Sequence, residues 1–107
     1  MRWPILHVPF LPAAGMALFP FILVKQKRYK NDKSLVLHEK IHLLQQLELL
    51  VLPFYILYFL NYLVNLCRYR THSKAYEEIA FEKEAYSNDR DQTYLSRRPL
   101  WHWLKYL

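Results

Sequence analysis

Apolar and polar positions alternate along this chain in three different ways. From Ser34 to Leu52 leucines, valine and isoleucine recur at helical spacing, with no glycine or proline, which predicts a first helix over 34–52. Asp32 or Ser34 can cap its first turn, and Pro53 ends or kinks it. Residues 54–68 are apolar nearly all round and predict a second helix. Thr71-His72-Ser73 reads as a connection, with Ser73 as N-cap of a third helix over 74–88 whose first turn holds Glu77 and Glu78. Ahead of the helices, residues 1–15 carry Pro4, Pro9, Pro12 and Gly15 and cannot form a regular helix. Residues 16–24 read as a strand that Pro20 demotes to an edge or bulged one. Residues 25–33 are a basic loop, and the tail 89–107 ends in Trp101-His102-Trp103-Leu104-Lys105-Tyr106-Leu107, a short interfacial or packing helix. The expected fold is one domain, mainly α (α+β): three helices with a short N-terminal edge strand or hairpin.

Composition sharpens this picture. The 107 residues suffice for one small core, and 53% hydrophobic with 17% aromatic is rich for that size. The single glycine excludes glycine-cradled phosphate sites. The net charge is +6, gathered at 25–33, at Arg68-Tyr69-Arg70 to Lys74 and at Arg97-Arg98. These clusters flank apolar segments, and the aromatics lie in apolar runs, so the basic surface suits anionic lipid and no nucleic acid is expected. Cys67, the only cysteine, excludes an intramolecular disulfide and a cysteine zinc site. Met1-Arg2 begins an apolar stretch, but His7 and the prolines interrupt it, so a cleaved signal is not expected.

The chemistry concentrates in His38-Glu39-Lys40-Ile41-His42. Histidines four apart on a helix place both imidazoles on one face, where they can share a zinc ion. Glu39 then stands beside the pair as a general base, taking a proton from a zinc-activated water and returning it to a leaving amine. Two histidines need a third protein ligand. The other histidines are His7, His72 and His102, and acidic residues cluster in 76–86. On one continuous helix Ala75, Glu78, Ile79, Glu82, Ala85 and Tyr86 share a face. Glu82 lies mid-face between small alanines and is the first choice; Glu78 is the runner-up, with a solvated pair to Lys74 as its ordinary alternative; Glu84 lies on a different face.

The HExxH pair followed by a helix with Glu-x-Glu-Ala resembles the gluzincin peptidases, more closely the integral-membrane CAAX-protease type. There a Phe-Glu-x-(Gln/Glu)-Ala-Asp segment supplies the third zinc ligand from its first glutamate. Phe81-Glu82-Lys83-Glu84-Ala85-Tyr86 is similar, with Tyr86 in place of the final Asp. His38 to Gln46 is also similar to small bacterial HExxH proteins with His-x-x-Gln-Gln after the motif. The resemblance covers roughly residues 16–88. It implies a minimal zincin-like core, Zn2+ held by His38, His42 and Glu82, Glu39 as catalytic base, and hydrolysis of a peptide or protein substrate laid along the edge strand at 16–24. Tyr86, Tyr76 and His72 are candidate oxyanion stabilisers by position. The other readings are a zinc-stabilised protein without catalysis and a membrane-surface interaction protein.

Residues 49–67 carry no charge, long enough to suggest a membrane span. Tyrosines 55, 58, 62 and 69 suit an interface better than a span centre. A straight helix from His42 to Arg68 would end about 39 Å away, and the next 14 residues return only about 21 Å as helix. If His42 and Glu82 are to meet, the chain must bend, and Pro53 is the expected place. The resulting hairpin is too short to cross a bilayer twice. It dips into one leaflet or forms a core or homo-oligomer contact, giving a peripheral or monotopic membrane protein or a cytoplasmic one.

Overall fold

The computed structural model describes residues 3–107. It is mainly α with a small three-stranded sheet. Ile5–His7 (β1), Gly15–Leu18 (β2) and Phe21–Val24 (β3) are followed by a 3-10 turn at Lys27–Asn31. The helices are Lys33–Glu48 (α1), Leu52–Tyr69 (α2), His72–Glu77 (α3), Ala80–Asn88 (α4) and Tyr94–Arg97 (α5), with a last 3-10 turn at His102–Tyr106.

The strand expected over 16–24 is two strands. Pro20, which lacks an N–H, stands in the turn between β2 and β3 instead of interrupting a ladder. The sheet order is β1-β3-β2, with β1 parallel and β2 antiparallel to β3. β3 is thus central, and β1 and β2 are the edges. Ile22 and Val24 of β3 and Ala17 of β2 pack on Leu43 of α1. The opposite side of α1 sends Leu37 and Ile41 against Ala85 and Tyr94. A helix packed on two sides buries His38, Glu39, His42, Gln45 and Gln46 as well as Leu37, Ile41 and Leu43.

Asp32 caps α1, accepting the N–H of Leu35 at 3.1 Å. The helix ends four residues earlier than expected. Leu50 and Val51 both take positive φ, near 61° and 62°, and the axes of α1 and α2 differ by 112°. Pro53 does not make the bend. It sits in the first turn of α2, where its missing N–H has no helical partner to lose. Arg70 closes α2 in the left-handed region, its N–H reaching Leu66 O at 2.8 Å.

The single helix expected over 74–88 is broken. Thr71, not Ser73, caps α3, and Ile79 is extended between α3 and α4. Two asparagines of α2 satisfy the interrupted backbone: Asn61 Oδ1 accepts Ala80 N–H at 2.9 Å, and Asn65 Nδ2 donates to Ala75 O at 3.1 Å. Ile79 drops into a core with Phe54, Phe81 and Trp103. The tail folds back over α1 and α4 through Arg98, whose side chain is buried with Glu48 and Glu84. Arg98 meets Glu48 with two bonds of 3.0 and 3.1 Å and reaches both oxygens of Glu84. The N–H of Trp101 adds a third donor to Glu48 at 2.6 Å.

Burial opposes the charge on Glu84, yet the bonds from Arg98, Tyr94 and Gln45 outweigh it and hold its carboxyl below the ordinary 4.5. A depressed carboxylate contributes stability that is present above the unfolded pKa and lost as pH falls through the folded one. Arg98→Met leaves two buried carboxylates without their partner and is expected to cost about 3–5 kcal/mol at neutral pH. The penalty should shrink on acidification, because Glu84 can then be buried neutral. Urea unfolding of both proteins at pH 7 and pH 4 checks this; an unchanged midpoint at pH 7 would show that the tail is not pinned this way.

Candidate metal centre

Helix α1 presents His38 and His42 one turn apart, their ring centroids 4.8 Å from each other. The first turn of α4 brings in Glu82 from the opposite side. Glu82 Oε1 lies 3.1 Å from His38 Nε2 and 3.2 Å from His42 Nε2, and the two Nε2 atoms are 3.2 Å apart. All three residues are buried. Ligands at 2.0–2.2 Å from a tetrahedral zinc are about 3.3–3.5 Å from each other. The triangle is therefore the size of one face of such a site, and the donor set of two imidazoles and a carboxylate suits the same ion. Glu78 does not join them. The break at Ile79 turns it outward, where it pairs with Lys74 at 3.8 Å and Lys83 at 3.9 Å.

The remaining atoms of the three side chains are also held. His38 Nδ1–H donates to Asp89 at 3.0 Å, and His42 Nδ1–H to Gln45 Oε1 at 2.8 Å. Gln45 is fixed by its own donors to Phe81 O and Glu84 Oε1, at 3.1 and 2.9 Å. Both Nδ1 atoms thus carry hydrogen, and both Nε2 atoms turn to the common point. The second oxygen of Glu82 accepts the phenol of Tyr58. Sequence reasoning missed Asp89, Tyr58 and Gln45 as supports. Asp89, which meets His38, stands just past the end of α4, while the Tyr86 ring packs edge-on against His38 at 4.4 Å. Tyrosines 55, 58 and 62, which by composition suit an interface, instead share one face of α2 and turn their hydroxyls to Ala17 O, Glu82 and His72. Glu84, assigned to a different face, is fully buried in the Arg98 cluster.

Burial alone would push His42 down, but the Glu82 carboxylate raises it to about 9, with Glu39 and Gln45 adding to the effect. Burial works against ionised Glu82 as well, and the two imidazoles hold it well below the carboxylate range. Glu39 is raised: its burial outweighs the histidines, and Glu82 adds repulsion.

Glu39 lies on a cavity of about 250 Å³ shared with the triangle, β2 and the aromatics Phe54, Tyr55 and Tyr58. The chain's one glycine stands at its edge. A Cβ on Gly15 would come within 3.2 Å of Glu39 Oε2. Lys25 N–H bonds Ala14 O, so by antiparallel alternation Gly15 and Ala17 turn their main-chain groups away from β3. Gln46 and Tyr55 take up Ala17 O at 2.9 and 2.8 Å, and Gln46 Oε1 accepts Phe19 N–H. Of the candidate oxyanion groups, Tyr76 lines this cavity. His72 instead meets Tyr62 at 2.8 Å, and Tyr86 is exposed. His7 and His102 lie outside the cluster.

A raised histidine contributes stability that is complete below its unfolded pKa near 6.5 and is lost as pH rises through the folded value near 9. The chelator-treated protein is expected to unfold at lower denaturant at pH 10 than at pH 6. Its His42 imidazole signals, followed by NMR, should titrate near 9. In Glu82→Gln, burial acts with the largest opposing charge removed, and the midpoint should fall by more than one unit. A His42 midpoint that ignores Glu82→Gln would mean the two side chains do not meet in solution.

No protein-family model matches this chain, and neither a curated protein nor a solved structure matches it.

Proposed function

We propose that this chain is a zinc-dependent metallopeptidase-like hydrolase of the HExxH class, with His38, His42 and Glu82 as metal ligands and Glu39 as general base. One observation carries the reading: three ligand atoms within 3.2 Å of one another share a cavity with a buried glutamate from the same helix turn. When bound, zinc supplies a Lewis acid and a water of lowered pKa.

The chain's own residues account for the rest. Burial makes Glu39 a better proton acceptor than a solvated glutamate. Its carboxylate takes the proton as the water oxygen bonds to the peptide carbonyl carbon, then gives it to the amine nitrogen as the C–N bond breaks. Asp89 and Gln45 keep the ring nitrogens oriented, and Tyr58 keeps one oxygen of Glu82 turned toward the histidines. The outward main-chain groups of Gly15 and the N–H of Ala17 offer an extended peptide or protein segment a short edge to pair with beside Glu39. Side-chain contacts would come from the aromatic wall of Phe54, Tyr55 and Tyr58.

Location belongs to the same proposal. Among the described residues no single helix is long and apolar enough to cross a membrane, and only the bent pair α1–α2 has the combined length. We place the protein at a membrane surface, peripheral or monotopic, with its basic clusters at the headgroups.

A second reading is a zinc staple without hydrolysis, which the burial of all three ligands favours, since metal-binding energy adds to folding energy in so small a core. Glu39 separates the two. Glu39→Gln is expected to retain about one zinc per chain by metal analysis while peptide hydrolysis falls by roughly 10²–10⁴-fold. His42→Ala should lose both the zinc and the thermal stability that zinc confers. A purified wild type that takes up no zinc sinks both readings, and a Glu39→Gln protein as active as wild type sinks the first alone.

A further inference from the structure

Helix α2 is inside out. Its polar side chains face the protein: Asn61 and Asn65 bond the backbone of α4 and α3, Tyr58 bonds Glu82, Tyr55 bonds Ala17 O, and Tyr62 meets His72. Its exposed positions between 52 and 67 are Leu52, Pro53, Ile56, Leu57, Phe59, Leu60, Leu63, Val64 and Cys67, none of them hydroxyl, amide or charged. These are not grazing exposures: Leu52 is 68% exposed, Phe59 58% and Val64 57%. The spacing 52, 56, 59/60, 63/64 is one helical stripe along the whole element. The tail extends it. Leu57, Leu60 and Val64 line a shallow groove of about 340 Å³ together with Leu107, which is 76% exposed. Ordinary surface helices show the opposite pattern, with the apolar stripe turned to the core. Continuous apolar patches of this kind mark a surface that meets something apolar.

Charge identifies the occupant. The two segments that build this face, 49–76 and 92–107, contain no aspartate or glutamate. They carry exposed Arg68 and Arg70 at the end of α2 and exposed Lys105 beside Leu104 and Leu107. A second copy of this chain would bring the same positive charge to the contact and repel. A negatively charged headgroup layer over hydrocarbon matches both the apolar stripe and the basic rim. The 18 residues of α2 span about 27 Å, short of the roughly 30 Å hydrocarbon core, so the helix lies along the surface and does not cross it.

We propose that the outward face of α2, continued by Leu107, is the docking surface by which this protein sits in one leaflet of an anionic bilayer. This names the face for the membrane location proposed above, and it stands or falls independently of zinc and of hydrolysis.

The test is sedimentation of the full chain with sucrose-loaded vesicles, one set of phosphatidylcholine alone and one containing phosphatidylglycerol. Wild type is expected to pellet with the anionic set, at least about tenfold more strongly than with the neutral set. Phe59→Glu with Val64→Glu alters two exposed side chains and should reduce that binding by about tenfold or more while circular dichroism stays unchanged. Leu107→Glu, outside α2 itself and 76% exposed, should weaken it in the same direction and decides the matter if the double variant misfolds. The proposal is overturned if wild type stays in the supernatant with both vesicle sets, or if both glutamate variants bind like wild type. It is equally overturned if the lipid-free protein is a stable dimer that Phe59→Glu with Val64→Glu converts to monomer, since the face would then belong to a second copy.

Discussion

The fold turns on a buried carboxylate. Glu82 sits in the interior with one oxygen toward two imidazoles of α1 and the other toward a phenol of α2. Removing a carboxylate from water costs several kcal/mol unless its oxygens are met by donors or cations. Meeting both oxygens requires α1, α2 and α4 to converge within hydrogen-bond distance of one side chain. The sharp bend between α1 and α2 follows from this. A straight continuation of α1 would carry Tyr58 away from the point that His38 and His42 define. The chain instead turns 112° through Leu50 and Val51, placing a β-branched residue at positive φ. That local cost is offset by closure of the polar cluster and by the Phe54–Phe81–Trp103 core beneath it.

What was legible in the sequence is what depends on neighbours along the chain. The four-residue spacing of His38 and His42 needs only a helix, and Asp32 caps it through Leu35, three residues on. Glu82 stood out because small residues flank it. The rest depended on partners distant in sequence. Pro53 looks like a helix terminator, but a first-turn proline starts a helix as readily as it ends one, and only the packing of Phe54 decides which. The break at Ile79 has no glycine or proline to announce it. It exists because Asn61 and Asn65, an element away, replace the missing backbone bonds. Glu84 reads as a surface charge until Arg98, fourteen residues later, folds back to meet it.

The paired glutamines after His42 divide two tasks between neighbouring positions. Gln45 points to α4, orienting His42 and joining Glu84. Gln46, 100° further round the helix, points to the sheet and holds Ala17 O and Phe19 N–H. One helix turn therefore fixes a ring of the cluster and also the edge strand facing it. A chain from Arg98 through Glu84 and Gln45 to His42 further ties the tail to the same ring. In a domain too small for a thick hydrophobic core, such a polar scaffold holds functional side chains only if every member is satisfied. Here Gln45 and Gln46 each use both ends of the amide.

That scaffold also explains why α2 leaves its apolar side outward. The helix must supply two asparagines and three tyrosines to the interior, and a helix has only one inward face. Leucine, isoleucine and phenylalanine occupy what remains. Water alone would favour lysine and glutamate there, since exposed apolar stripes invite aggregation. Their absence from the exposed positions 52–67, together with arginines at the helix end, points to a medium that rewards apolar side chains. The polar interior and the apolar exterior of α2 are then one design: a cluster assembled on the inner face of a helix whose outer face is the one proposed to meet lipid.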